Sequence, residues 1–140
     1  MEHIYLHPML VHFPIALFIT ALLLEILSLL LKNKDFHQSA IYLYVFAAIL
    51  SPVVVRTGLD EAAEWHLVNH PVLNLHQRFA LTTMWIAVGS LPFLYLIYLK
   101  FTKFFRVAFV ITLIMLVTFV SLTAYNGGRL VYEYGVGVER

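Results

Sequence analysis

Seven histidines, four methionines and no cysteine set the chemistry open to this chain of 140 residues. Without cysteine there are no disulfides, thiolate–metal sites, iron–sulfur clusters or covalently attached c-type haem. Imidazole remains as the principal ligand type, with carboxylates and thioethers beside it. Two stretches carry imidazoles in related patterns. One reads His7-Pro8-Met9-Leu10-Val11-His12-Phe13-Pro14-Ile15-Ala16-Leu17. The other reads His70-Pro71-Val72-Leu73-Asn74-Leu75-His76-Gln77-Arg78-Phe79-Ala80-Leu81. With one inserted residue, the His-Pro pair, the following Leu, the second His and the Ala-Leu pair all align. Two histidines placed alike in two repeats are what a bis-imidazole site requires.

The elements that position these residues follow from composition. Hydrophobic residues make up 61% of the chain and charged residues 12%, against about 25% charged in a soluble domain. Such a chain cannot cover itself with polar surface in water, so its solvent is lipid. A helix needs about 20 apolar residues to cross the hydrocarbon. Four segments qualify, over about 8–31, 39–57, 76–99 and 107–126. They are apolar all round, whereas barrel strands would alternate in polarity over about ten residues. The fold class is all-α: one polytopic domain over residues 1–140, a bundle of four transmembrane helices built from two hairpin repeats. The repeats are related by an axis along the membrane normal.

Lys32, Lys34, Lys100, Lys103 and Arg106 fall on one side of the spans. The positive-inside rule places that side in the cytoplasm of a bacterial inner membrane, with both termini outside. The first apolar segment lacks a basic leader and opens on histidines, so it reads as a retained span. His3, His7, His12, His66, His70 and His76 then lie on the outer side, and only His37 is cytoplasmic. His3 and His37 read as solvated. The connection from Leu59 to Leu75 is the longest, with a short interfacial helix expected over Asp60–Trp65. The net charge of +1, with no run of Lys or Arg, gives no ground for a nucleic-acid partner.

Proline suits a first helical turn, where its missing N–H is not needed. Pro8 and Pro71 therefore start helices, and His7 and His70 sit at N-caps. His12 and His76 lie more than a turn inside, where an ionisable group is costly and usually functional. The pairing expected across the axis is His12 with His76, and His7 with His70 forms a more exposed pair. Haem b suits neutral imidazoles on facing helices. Gly58, Ala62, Ala80 and Gly127 are small residues near the right depth. Phe13, Phe79, Tyr125 and Trp65 supply aromatics, and Arg56, Arg78 and Arg129 are outer-side partners for propionates. The function expected is electron transfer by a b-type haem protein, as a module or a subunit of a larger respiratory or photosynthetic complex rather than a stand-alone enzyme. Partners would be the bilayer, a cytochrome or respiratory complex, or a second copy. Two other readings stay open: a transition-metal site or transporter using His7, His12, His70, His76 and Glu64, and a structural subunit whose histidines only cap helices.

Gly127-Gly128 reads as a helix C-cap. From Leu130 to Val138 the residues alternate with a period of two and one violation, at Val131, which predicts a short extended C-terminal tail over the outer surface.

The first helix start, His7 to Leu17, and the C-terminal segment Gly127-Gly128-Arg129-Leu130-Val131-Tyr132-Glu133-Tyr134-Gly135-Val136-Gly137-Val138 resemble the two ends of a bacterial membrane family, domain of unknown function 2231. The Thr57-Gly58 turn and the His76 region resemble its middle. The resemblance covers nearly the whole chain and implies a four-helix membrane domain. Some relatives are joined to cytochrome-like domains, which favours electron transfer.

Overall fold

The computed structural model describes residues 6–64, 70–100 and 102–136. His3, Trp65, His66 and residues 137–140 lie outside them, as do the side chains of Glu64, Lys100 and Lys103. Five helices follow one another: α1 (Leu6–Leu10), α2 (His12–Leu31), α3 (Lys34–Glu64), α4 (Pro71–Lys100) and α5 (Thr102–Tyr132). There is no strand among the described residues. With α1 and α2 taken as one span, four helices are long and apolar enough to cross a membrane.

The first span is broken at Val11 for a local reason. Pro14 has no N–H to give the Leu10 carbonyl, and the Val11 N–H reaches back to the His7 carbonyl at 3.0 Å. Val11 itself keeps right-handed helical angles, φ −60° and ψ −28°, so α1 leads directly into α2. α2 ends on Lys32, held left-handed at φ 52°. Asn33 then caps α3, its Oδ1 accepting the Asp35 N–H at 2.8 Å. A two-residue reversal of this kind makes α2 and α3 an antiparallel hairpin, and α4 and α5 form the second. Around the bundle the order is α2, α3, α4, α5, with α5 closing against α2.

Three helices run longer than the hydrophobic runs alone set them. α3 continues through Thr57 and Gly58 to Glu64, so the stretch expected as a separate interfacial helix is its last turn. α4 starts at Pro71. α5 passes straight through Gly127-Gly128 to Tyr132, so these glycines are not its C-cap. The stop comes at Gly135, whose φ of 67° is one that L side chains rarely adopt. That residue turns the chain back, and the Val136 N–H meets the Leu130 carbonyl at 3.0 Å. The alternation from Leu130 onward is therefore not an extended segment where it is described. Val136 nevertheless lies over the helix ends, against Val72, Leu73 and Leu130.

Packing divides the bundle along its length. Towards the Lys32 end, Phe18, Tyr44, Phe109, Leu113 and Leu116 interlock with Ala21, Ala40, Ala47, Ala48 and Ala87, all buried. Small residues let membrane helices approach closely where no hydrophobic effect drives them together. The Tyr44 hydroxyl donates to the Ala87 carbonyl at 2.9 Å, tying the two hairpins. Leu23, Ile26, Trp85, Phe93, Ile111 and Ile114 face outward, as a lipid-exposed surface requires. Towards the histidine end the hairpins part around a cavity.

Candidate functional site

The cavity encloses about 570 Å3 at the histidine end. Both hairpins line it, with Val11, Ile15, Leu73, Leu81, Met84 and Val120 among the apolar walls. Ser51 and Thr83 also face it, but their hydroxyls bond the Ala47 and Phe79 carbonyls one turn back at 2.7 and 2.8 Å. The polar groups left to a ligand are mainly imidazoles.

Hydrogen bonds sort those imidazoles by tautomer. A backbone carbonyl only accepts, so the ring nitrogen facing it must carry the proton. His7 Nδ1 lies 3.0 Å from the Val54 carbonyl. His76 Nδ1 lies 2.9 Å from the Thr123 carbonyl. Each ring thus donates through Nδ1 and keeps the Nε2 lone pair, as ligating histidines do. His70 is the opposite case. Its Nδ1 accepts the Val72 N–H at 3.3 Å, so its proton sits on Nε2 and it serves as a cap. Its ring rests on Tyr134, with centroids 4.3 Å apart.

The structure brings His7, not His12, to His76. The two ring centroids are 6.3 Å apart and the planes stand at 86°. His12 is exposed and bonds the Pro8 carbonyl of its own first turn at 2.8 Å, although it lines the same cavity. His7 is not an N-cap. It lies within α1, its N–H donating to Glu61 Oε1 at 2.8 Å, and its ring crosses to α3. His7 and His12 are five residues apart, about 140° round a helix, so they cannot point the same way, and it is His7 that meets the Val54 carbonyl. On α4 the inward histidine is the one five residues after Pro71.

Each ring lies against a glycine. A Cβ on Gly58 would stand 2.6 Å from His7 Cε1, and one on Gly127 would stand 3.1 Å from His76 Cε1. Both glycines sit inside helices because a ring occupies the space a side chain would fill. The two halves match closely. In each, imidazole and carbonyl are 47 residues apart, and the glycine follows the carbonyl residue by one turn. A shift of 69 residues carries His7 onto His76, Val54 onto Thr123 and Gly58 onto Gly127. The repeat read from the His-Pro pairs thus holds in a different register.

Gly58, Gly127, Ala62 and Ala80 line the cavity as expected. Arg56, Arg78, Arg129 and Tyr125 are not among its lining residues. Arg56 pairs with Asp60 at 3.0 Å and Arg129 with Glu133 at 3.0 Å, one turn along their own helices. That hydrogen bond holds the Glu133 carboxyl below the usual carboxylate range. Arg78 is exposed. Gln77 and His12 are polar side chains that do reach the cavity wall. No group of three or more ligating side chains gathers at ion-holding distance among the described residues.

At the other end lies a cluster that motif reading overlooked. Glu25 is fully buried within the first span and bonds both His37 and Arg106. His37 is therefore not simply solvated. The signal was present, since one carboxylate interrupts an otherwise apolar stretch.

No curated protein and no solved structure matches the chain. The model of one family, described as a predicted membrane protein, DUF2231, matches residues 3–140. The chain therefore belongs to the DUF2231 family of membrane proteins.

Proposed function

We propose that the protein holds one haem b between His7 and His76 and carries electrons at the outer side of a bacterial inner membrane. The observation that carries this reading is the paired tautomer. Two imidazoles, one from each hairpin, donate through Nδ1 to helix carbonyls and keep Nε2 free at the wall of one apolar cavity. The two ring centroids stand 6.3 Å apart, near enough for both imidazoles to serve one ligand. A bare zinc or copper ion asks for three or four protein ligands, and no such group gathers among the described residues. Iron in a porphyrin asks for only two axial ligands, because the macrocycle supplies the rest. Gly58 and Gly127 keep the rings seated and the cavity wall low beside them.

Haem bound here supplies one-electron redox chemistry. The protein holds the axial imidazoles in one tautomer, surrounds the cavity with apolar side chains, and leaves its outer mouth to a redox partner such as a cytochrome or a respiratory complex. Purified from haem-replete cells, the protein is expected to show a Soret band with the sharp α and β bands of low-spin iron. A preparation without a Soret band under those conditions sinks the proposal.

Orientation belongs to the same proposal. Lys32, Lys34 and Arg106 cluster at the end away from the cavity, which puts the cavity outside. Reporter fusions at Lys34 and Lys103 are expected to read cytoplasmic. An outward signal at either position reverses the assignment and places the site on the cytoplasmic side.

A further inference from the structure

Glu25 is a carboxylate with no solvent exposure inside a membrane-spanning helix, and two side chains, His37 and Arg106, share it. His37 Nδ1 donates to Oε2 at 2.6 Å. Arg106 Nε donates to Oε1 at 2.9 Å. Arg106 Nη2 also donates to Ser28 Oγ at 2.6 Å, and Ser28 in turn donates to the Asn33 carbonyl at 2.7 Å. Phe105 and Phe109 stand edge-on to the His37 ring, with centroids 5.9 and 6.0 Å away, and shield the cluster.

The register that superposes the two histidine seats also carries His37 onto Arg106. Equivalent positions of the two hairpins thus converge on one carboxylate. Glu25 itself has no counterpart, since Leu94 occupies the equivalent place. The cluster therefore lies between the hairpins at one end, as the His7–His76 pair does at the other. Roughly 27 Å of helix separates Glu25 from His7 at about 1.5 Å per residue. Between the hairpins, the tight packing and the Tyr44 contacts with Ala87 and Ser90 are found in the half nearer Glu25. The half nearer the histidines is hollow.

We infer that Glu25, His37 and Arg106 are positioning residues: a fulcrum that sets the angle between the hairpins and so the separation of His7 and His76. Burying a carboxylate in hydrocarbon costs several kcal/mol unless it is paired. That cost falls on any arrangement in which the Arg106 helix moves away from Glu25. The pair therefore selects one relative placement of the hairpins, the role best attested for buried polar groups. Tilting one hairpin about this end displaces the far end most, and the two imidazoles sit there.

The inference rests on the two-histidine reading of the site, but its decisive measurement needs no haem. The chain has no cysteine, so Asp60→Cys and Tyr125→Cys place two spin labels cleanly on exposed positions near the outer ends of α3 and α5. Pulsed electron–electron distance measurements on the full chain in nanodiscs, prepared without haem, report the spread between hairpins. With Glu25→Gln the outer distance distribution is expected to at least double in width. Arg106→Lys, which keeps the charge but cannot reach both Glu25 and Ser28, is expected to broaden it less. Leu116→Ala, a buried truncation outside the ion-pair cluster, should lower the thermal midpoint and broaden the distance less than Glu25→Gln does. Haem retention should also fall in Glu25→Gln, because the two imidazoles are no longer held at one separation. If Glu25→Gln fails to accumulate, Arg106→Lys with Ser28→Ala carries the test. Unchanged distributions in Glu25→Gln, or in Arg106→Lys with Ser28→Ala, overturn the fulcrum, whatever the haem spectrum shows. Altered distances without any Soret band keep the fulcrum and remove the haem.

Discussion

Replacing His7 or His76 by alanine is expected to abolish the low-spin spectrum of the haem-loaded protein, and replacing His12 or His70 is not. Each of the first two rings is the sole imidazole its hairpin brings to the pair, so its loss would leave a haem iron bound there with one protein nitrogen. The spectrum should shift to high-spin features or disappear with the haem. His70 spends Nδ1 on the Val72 N–H and so keeps its proton on Nε2. Its removal costs a helix cap, about 1 kcal/mol of stability, and leaves the bands in place. His12 has a free Nε2 but lies exposed on its own helix. Absorption and electron paramagnetic resonance spectra of the four single variants decide the matter. Loss of the low-spin signature in His12→Ala, with its retention in His7→Ala, would transfer the ligand role to His12.

Alanine at Gly58 is expected to weaken ligand retention about 10- to 100-fold, and alanine at Gly127 only a few-fold. The difference is geometric. At Gly58 the added carbon would stand 2.6 Å from His7 Cε1 and 2.9 Å from both ring nitrogens; at Gly127 the nearest atoms are 3.1 and 3.4 Å away. Carbon atoms pack at about 3.5–4.0 Å, so the His7 ring must shift by most of an ångström, while the His76 ring need give only a few tenths. Overpacking of the first kind costs about 1–3 kcal/mol, and each 1.4 kcal/mol is tenfold in affinity. The helix itself should not suffer, since alanine is the better helix former by about 0.5–1 kcal/mol. Haem transfer to apomyoglobin measures retention. Equal losses at the two glycines, or none at Gly58, would contradict the seating of the rings.

The four spans were plain in the sequence because the bilayer fixes helix length and apolarity so strictly. Their ends were harder. Hydropathy falls off at Thr57 and Asn126, but backbone hydrogen bonding carries α3 and α5 on for about two further turns at polar and glycine-rich positions. Gly58 and Gly127 looked like terminators because glycine in a helix usually marks an end. Here each marks a close approach by a side chain from a distant segment, which local pattern cannot reveal. The histidine pairing went astray for a related reason. Aligning the His-Pro pairs matches residues by motif, and so it sets His12 opposite His76. His7 and His12 stand about 140° apart round the helix, and which of them points inward is set by packing against α3, where His7 meets the Val54 carbonyl. The spacing from each inward histidine to the carbonyl that holds it is the better guide, because it measures the hairpin between them. Glu25 was visible as a charge in an apolar run, yet nothing local names Arg106 as its partner across the bundle.

Because each hairpin contributes one imidazole, one anchoring carbonyl and one glycine seat in the same register, neither half holds a site alone and neither is specialised for one role. Such a division has the two-fold form of a self-complementary pair. In a pair of identical chains every substitution strikes both sides of the site at once, whereas in a single chain the two sides can differ. The histidine and glycine of each seat match, while Glu25 and Leu94, or His37 and Arg106, do not. A single asymmetric carboxylate gives the molecule a direction, a left and a right half that are not interchangeable.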